Sequence, residues 1–144
     1  MKVRDIMTKD LTSIEKEISV KELIFILNSS GTTSVPVVDD EEKLIGFISE
    51  SDIIKAALPG YFELLDGIAF IPDMNQLSKK LVQIEDDAIE KYMQREVVWV
   101  YDDDDDLQVA DMMIRKNIRN IPVVNREGHL VGVVTRINLV QQLL

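Results

Sequence analysis

One arrangement of residues occurs twice in this chain, at a fixed spacing. Ser34-Val35-Pro36-Val37-Val38, a charged turn from Asp39 to Lys43, and Leu44-Ile45-Gly46-Phe47-Ile48-Ser49 return as Asn120-Ile121-Pro122-Val123-Val124, Asn125 to His129, and Leu130-Val131-Gly132-Val133-Val134-Thr135. Pro36 and Pro122, Gly46 and Gly132, and Ser49 and Thr135 are each 86 residues apart, so the copies align without a gap. Upstream the register holds, with Met7 on Met93, Leu11 on Val97, Ile14 on Val100 and Leu27 on Met113. Two copies of one supersecondary unit therefore pack in one small molecule, and a cleft between near-identical halves is a natural place to hold a ligand.

Local signals agree between the copies. Ser19-Val20-Lys21-Glu22 and Asp105-Asp106-Leu107-Gln108 are capping-box patterns that start helices. Val20, Leu23, Ile24 and Leu27 make an apolar stripe on the first helix, and Leu107, Ala110, Met113 and Ile114 on the second. Gly31 and Asn117 are placed as helix stops. Paired β-branched runs follow each helix, with polar turns between them, and read as adjacent strands. Closing helices run from Ser51 to about Leu58 and from Arg136 to Leu144, and short strands at Thr12 to Ile14 and Val97 to Val100 complete a β-α-β-β-α unit in each half. Gly46 and Gly132 fall mid-strand, where a side chain would block something that approaches the backbone closely.

The composition excludes several classes. A chain of 144 residues, 46% of them hydrophobic, is long enough for a real core and too apolar for disorder. No apolar run approaches the ~20 residues needed to span a bilayer, and Met1 to Ile6 lacks the apolar stretch of a secretory signal. Cysteine is absent, which removes disulfides and thiol chemistry and fits a cytoplasmic location. A net charge of −10 repels nucleic acid and anionic membrane. The run Asp102 to Asp106 lacks the spacing and glycine of a calcium loop and reads as helix capping and solvation. His129, the only histidine, lies in a polar turn and has no nucleophile arrangement around it. Met112 and Met113 read as core filling.

These boundaries give a first motif at 1–58, a connecting insert at 59–87 and a second motif at 88–144. The insert is punctuated by Gly and Pro yet rich in apolar and aromatic residues, unlike a flexible linker. It either covers core edges of its own molecule or offers a homodimer or partner surface through Tyr61, Phe62, Leu65 and Phe70. Leu77, Leu81 and Ile84 have helical spacing and lead into the second copy.

The doubled set resembles a tandem pair of cystathionine β-synthase (CBS) domains, a Bateman module. It is carried by an apolar residue and Pro opening one strand, and by Gly-x-x-Ser/Thr closing the next, in fixed register. The resemblance implies an α/β (α+β) fold of two β-α-β-β-α motifs related by pseudo-two-fold symmetry. It also implies a non-enzymatic, regulatory sensor, often a homodimer, that binds AMP, ADP, ATP or an S-adenosyl compound between the halves, requires no cofactor and signals to an unknown protein partner by a change of shape. A structural or adaptor dimer with a weak or lost site is the alternative.

The residues support that chemistry. Ser49-Glu50-Ser51-Asp52 ends a strand and begins a helix, so backbone N–H groups and the hydroxyls of Ser49 and Ser51 suit phosphate. Asp52 can accept two hydrogen bonds from vicinal ribose hydroxyls. By analogy with adenine-nucleotide CBS pairs, Gly46 and Phe47 line the adenine, Val98 offers backbone bonds to its edge, and Arg119, beside Asn120 and Pro122, reaches phosphate. Arg115 and Lys116 either join Arg119 or belong to a solvated helix face. A second, weaker site would use Thr12, Thr33, Ser34, Gly132, Val133, Thr135 and Asn138, with an uncharged amide where the first copy has its acid and no cation at the position matched to Arg119.

Overall fold

The computed structural model describes residues 1–9, 13–58 and 76–143. Thr12 and the insert residues Tyr61, Phe62, Leu65 and Phe70 lie outside this range. The helices are α1 (Val3–Ile6), α2 (Val20–Ser30), α3 (Glu50–Ala57), α4 (Gln76–Ile84), α5 (Asp106–Lys116) and α6 (Arg136–Val140). The strands are β1 (Ile14–Glu15), β2 (Ser34–Val38), β3 (Leu44–Ser49), β4 (Val100–Tyr101), β5 (Asn120–Val124) and β6 (Leu130–Thr135). No described helix is long and apolar enough to cross a membrane.

Two mixed sheets of identical order form, β1-β2-β3 and β4-β5-β6. Ile14 lies opposite Val37 in the parallel pair β1–β2, and Val100 opposite Val123 in β4–β5, so the repeat's register is kept in space. Parallel pairing needs a crossover, which α2 and α5 supply. In the antiparallel pair β5–β6, Ile121 faces Val134 and Val123 faces Gly132, with an irregularity between Val123 and Val124. Strand β4 pairs only with Val123 and Val124, so Pro122 stands where the ladder on that flank has not begun, a place where a missing N–H is tolerated. Both leading strands are shorter and later than the β-branched runs predict. They start at Ile14 and Val100, and Val97 to Trp99 stay outside any ladder.

Helix boundaries follow the capping signals, with one difference. The Ser19 hydroxyl accepts from the Glu22 amide at 3.1 Å, and Gly31 and Asn117 stop their helices in the left-handed conformation, at φ 67° and 52°. Asp105 occupies the N-cap position of α5, but its side chain accepts no cap bond; it lies 3.6 Å from the Met1 amino group. The buried faces are also narrower than the apolar stripes. Helix α2 buries Val20, Leu23 and Leu27, and α5 buries Val109 and Met113 at the positions matched to Leu23 and Leu27. Leu107 and Ile114 are exposed, because α5 carries more apolar residues than one face can place inward.

Packing divides the chain into two interleaved units, 1–15 with 36–46 and 95–144, and 16–35 with 47–94. The first has a core of Val3, Val100, Val109, Met113, Ile121, Val123 and Val134, to which Met7, Met112 and Leu139 add. Helix α1, which the repeat pattern does not predict, docks there because the Val3 and Arg4 amides donate to the carbonyls of Asp104 and Asp102, both at 2.9 Å. Carboxylates of the acidic run have partners within the protein. Asp104 accepts from the Tyr101 amide at 2.9 Å, and Asp103 pairs with Arg126 at 2.8 and 3.0 Å. In the second unit, Val20, Leu23, Ile48, Ile53 and Ile89 are buried, and the single turn Ile89–Lys91 hangs from the carbonyls of Ile18 and Lys16.

Candidate functional site

Strand β3 passes directly into α3, so the residue that ends the strand also caps the helix. The Ser49 hydroxyl accepts from the Asp52 amide at 3.2 Å, and the Asp52 carboxylate accepts from the Ser49 amide at 2.9 Å and from its hydroxyl at 3.1 Å. This reciprocal capping box fixes the carboxylate at the start of α3, partly buried. A further donor comes from a distant segment. The Gln94 side-chain amide lies 3.2 Å from Oδ1 and 3.1 Å from Oδ2 of Asp52, and its backbone exchanges two hydrogen bonds with Phe47, at 2.8 and 3.0 Å.

The same construction stands 86 residues on. Thr135 and Asn138 form the capping box of α6, the Thr135 amide donating to Asn138 Oδ1 at 2.8 Å. Thr8, matched to Gln94, exchanges backbone bonds with Val133 and places its hydroxyl 3.3 to 3.4 Å from the Asn138 amide. The amide is buried, at 9% exposure. Gly132 allows this crossing: a Cβ there would overlap the Met7 thioether and lie 3.1 Å from the Thr8 carbonyl oxygen. The close approach that a mid-strand glycine predicts is thus made at Gly132 by the chain itself.

The helix start in the first copy offers fewer free donors than its sequence predicts. The Glu50 amide donates to the Thr33 carbonyl at 3.0 Å and the Asp52 amide to Ser49, while the exposed Ser51 side chain has no partner among the described residues. Gly46 is buried and Phe47 partly buried. In the second copy's strand Pro122 is buried opposite Val133, and Asn120 lies opposite Thr135. Ser34 receives the Thr32 hydroxyl on its carbonyl at 3.0 Å, and Thr33 is exposed.

Val98, Arg119, Asn120 and Pro122 belong to the first unit, whereas Phe47, Ser49, Ser51 and Asp52 belong to the second. The backbone groups of Val98 make no hydrogen bond among the described residues. Its neighbour Trp99 is 43% exposed and meets Tyr101 edge-on at 4.9 Å. Arg119 is exposed and makes no hydrogen bond or ion pair among the described residues. Arg115 is paired with Asp111 at 2.7 Å on the helix surface, which favours the solvated-face reading for that residue. Sequence reasoning missed Gln94 and Thr8, although both directly follow the matched pair Met93 and Met7.

Comparison with known proteins adds a family and an architecture. The family model "CBS domain" matches residues 3–59 and 89–144. The uncharacterized protein MJ1426 of Methanocaldococcus jannaschii is 28% identical over 155 residues, covering 100% of this chain and 92% of that protein. Other relatives are longer, and of one, the chain spans 42%. Among solved structures, CBSX2 in complex with AMP is 26% identical with a TM-score of 0.73, covering 99% of this chain and 95% of the other. The CBS domain pair of protein MJ0100, in complex with 5′-methylthioadenosine and S-adenosyl-L-methionine, is 26% identical with a TM-score of 0.70, at 99% and 95% coverage.

Proposed function

The chain belongs to the CBS domain family, and from that premise we propose that it is a regulatory CBS pair that binds an adenosyl compound and catalyses no reaction of its own. The ligand is an adenine nucleotide (AMP, ADP or ATP) or an S-adenosyl compound. Asp52 accepts the ribose hydroxyls beside Phe47, and Gly46, Val98 and Arg119, which lie in the other packing unit, are the residues that the family resemblance assigns to base and phosphate. The second-copy residues around Asn138 form the weaker site. The observation that carries this reading is the Asp52 carboxylate, held at the start of α3 by Ser49 on one oxygen while the other takes no bond from the capping box. The AMP complex of CBSX2 and the methylthioadenosine and S-adenosylmethionine complexes of MJ0100 support the choice of ligand class.

Binding becomes signalling through differential affinity. A ligand shifts a conformational equilibrium only by as much as it prefers one state, so contacts to both copies bias their relative orientation toward the liganded one. On this reading the protein acts as a cytoplasmic homodimer and passes this bias to a regulated protein. Calorimetry with adenosine, AMP, ATP and S-adenosylmethionine tests the site. Asp52→Ala weakens binding roughly tenfold or more by removing charge-assisted bonds, and Asn138→Ala weakens it less. Equal losses at the two positions overturn the asymmetry.

A second reading, a structural or adaptor dimer, is favoured by one observation. Both capping-box side chains already have partners outside their boxes, Gln94 for Asp52 and Thr8 for Asn138. A nucleotide panel that leaves the melting temperature unchanged selects this reading.

A further inference from the structure

We infer that Gln94 is a displaceable stand-in for the ribose, an inference that rests on the adenosyl-binding reading of Asp52. A carboxylate has about four lone-pair directions, two on each oxygen. On Asp52 the Ser49 amide and hydroxyl occupy both directions of Oδ2, and the Gln94 amide lies against both oxygens, leaving one direction on Oδ1. Two vicinal hydroxyls cannot both be accepted while Gln94 stays; a single hydroxyl can.

The local build suits departure. The Gln94 backbone is fixed by its two bonds to Phe47, and the residue is exposed, so its side chain can swing into solvent without moving the chain beneath it. Its three-bond reach lets the amide cover the carboxylate in one rotamer and clear it in another. The second copy lacks this freedom. Thr8 holds a short β-branched side chain against a buried amide, and no rotation of it uncovers Asn138 to the same extent. Thus the two copies differ in whether the acceptor can be opened, as well as in its charge.

The test is calorimetry of adenosine and 2′-deoxyadenosine on the full chain and on Gln94→Ala and Gln94→Met, the second variant keeping side-chain bulk without the donor. Both substitutions are expected to tighten adenosine about threefold to tenfold, the range a net intramolecular hydrogen bond commands, and to leave 2′-deoxyadenosine nearly unchanged. In an Asp52→Ala background the gain disappears. Weaker adenosine binding in both variants overturns the inference and makes Gln94 a positioning residue. An equal gain for both nucleosides also overturns it, because a merely wider pocket does not count hydroxyls. If neither the wild type nor the variants bind any adenosyl compound, the ribose reading of Asp52 fails and this inference with it.

Discussion

The thioether of Met7 occupies the space that a Cβ on Gly132 would need. Beside it Thr8 and Val133 exchange backbone hydrogen bonds at 2.9 and 3.0 Å, so the N-terminal segment is bridged antiparallel to β6 at this point. Gly132 serves that crossing.

Gly132→Ala is therefore expected to cost about 1–3 kcal/mol through overpacking. In a Met7→Ala background the flexible part of the obstruction is gone and the same change costs less. Urea unfolding of the four proteins measures the coupling. Equal costs in both backgrounds would show that the Met7 contact is not the cause.

The two hairpin turns make a second matched pair. Glu42 has φ 62° where the second copy has Gly128 at φ 87°, and the neighbouring turn acceptors, Asp39 and Asn125, each receive two backbone amides. A non-glycine residue in the left-handed region costs roughly 1–2 kcal/mol, against which glycine's greater unfolded freedom sets back part. Glu42→Gly is expected to raise stability by up to about 1 kcal/mol. Gly128→Ala is expected to lower it, with no steric contribution, since nothing lies within 4 Å of the added carbon. Thermal melts of both variants check the opposite signs.

Arg126 stacks over Tyr101 at 3.9 Å and hydrogen-bonds Asp103, which holds the Asp103 carboxyl below its ordinary value of 3.8. A depressed folded value contributes stability above the unfolded value that is lost as pH falls through the folded one. The charge-dependent part of the difference between wild type and Arg126→Met should accordingly be present at neutral pH and shrink below about pH 4. The stacking part should persist. Denaturation at pH 7 and pH 3 separates them; a difference independent of pH would leave only the ring contact.

Arg119 is an exposed cation without a partner among the described residues. Arg119→Ala is expected to weaken AMP and ATP far more than adenosine, and added salt to narrow that gap. Trp99 emission, next to Val98, offers a second readout of the same titrations. Parallel losses for nucleoside and nucleotide would assign Arg119 to pocket shape.

Much of this was legible because the repeat reports each element twice. The caps at Ser19, Gly31 and Asn117 and the strand-to-helix junction at Ser49 follow from local patterns, and the match of Ile14 to Val100 follows from the repeat, whereas the pairing of Ile14 with Val37 and of Val100 with Val123 is a tertiary feature that no local pattern states. Helix α5 was read with Leu107 and Ile114 inward because periodicity counts apolar residues without knowing how wide the buried face is. Helix α1 and Gln94 were invisible for another reason. Their partners, Asp102 and Asp104 for α1 and Asp52 for Gln94, lie far along the chain, and a backbone ladder such as Gln94 with Phe47 leaves no side-chain signature.

The docking of α1 on Asp102 and Asp104 bears on how the protein is made. Val3 and Arg4 are held by carbonyls that are synthesised well after them. Val3 has to wait for Val100, Ile121 and Val134 before it can leave water. Closing so long a loop is slow relative to local pairing, so the hairpin β5–β6, whose contacts are short-range, is available early and the N-terminal turn closes late. Helix α1 is thus the final piece of a core that β4, α5, β5 and β6 must build first.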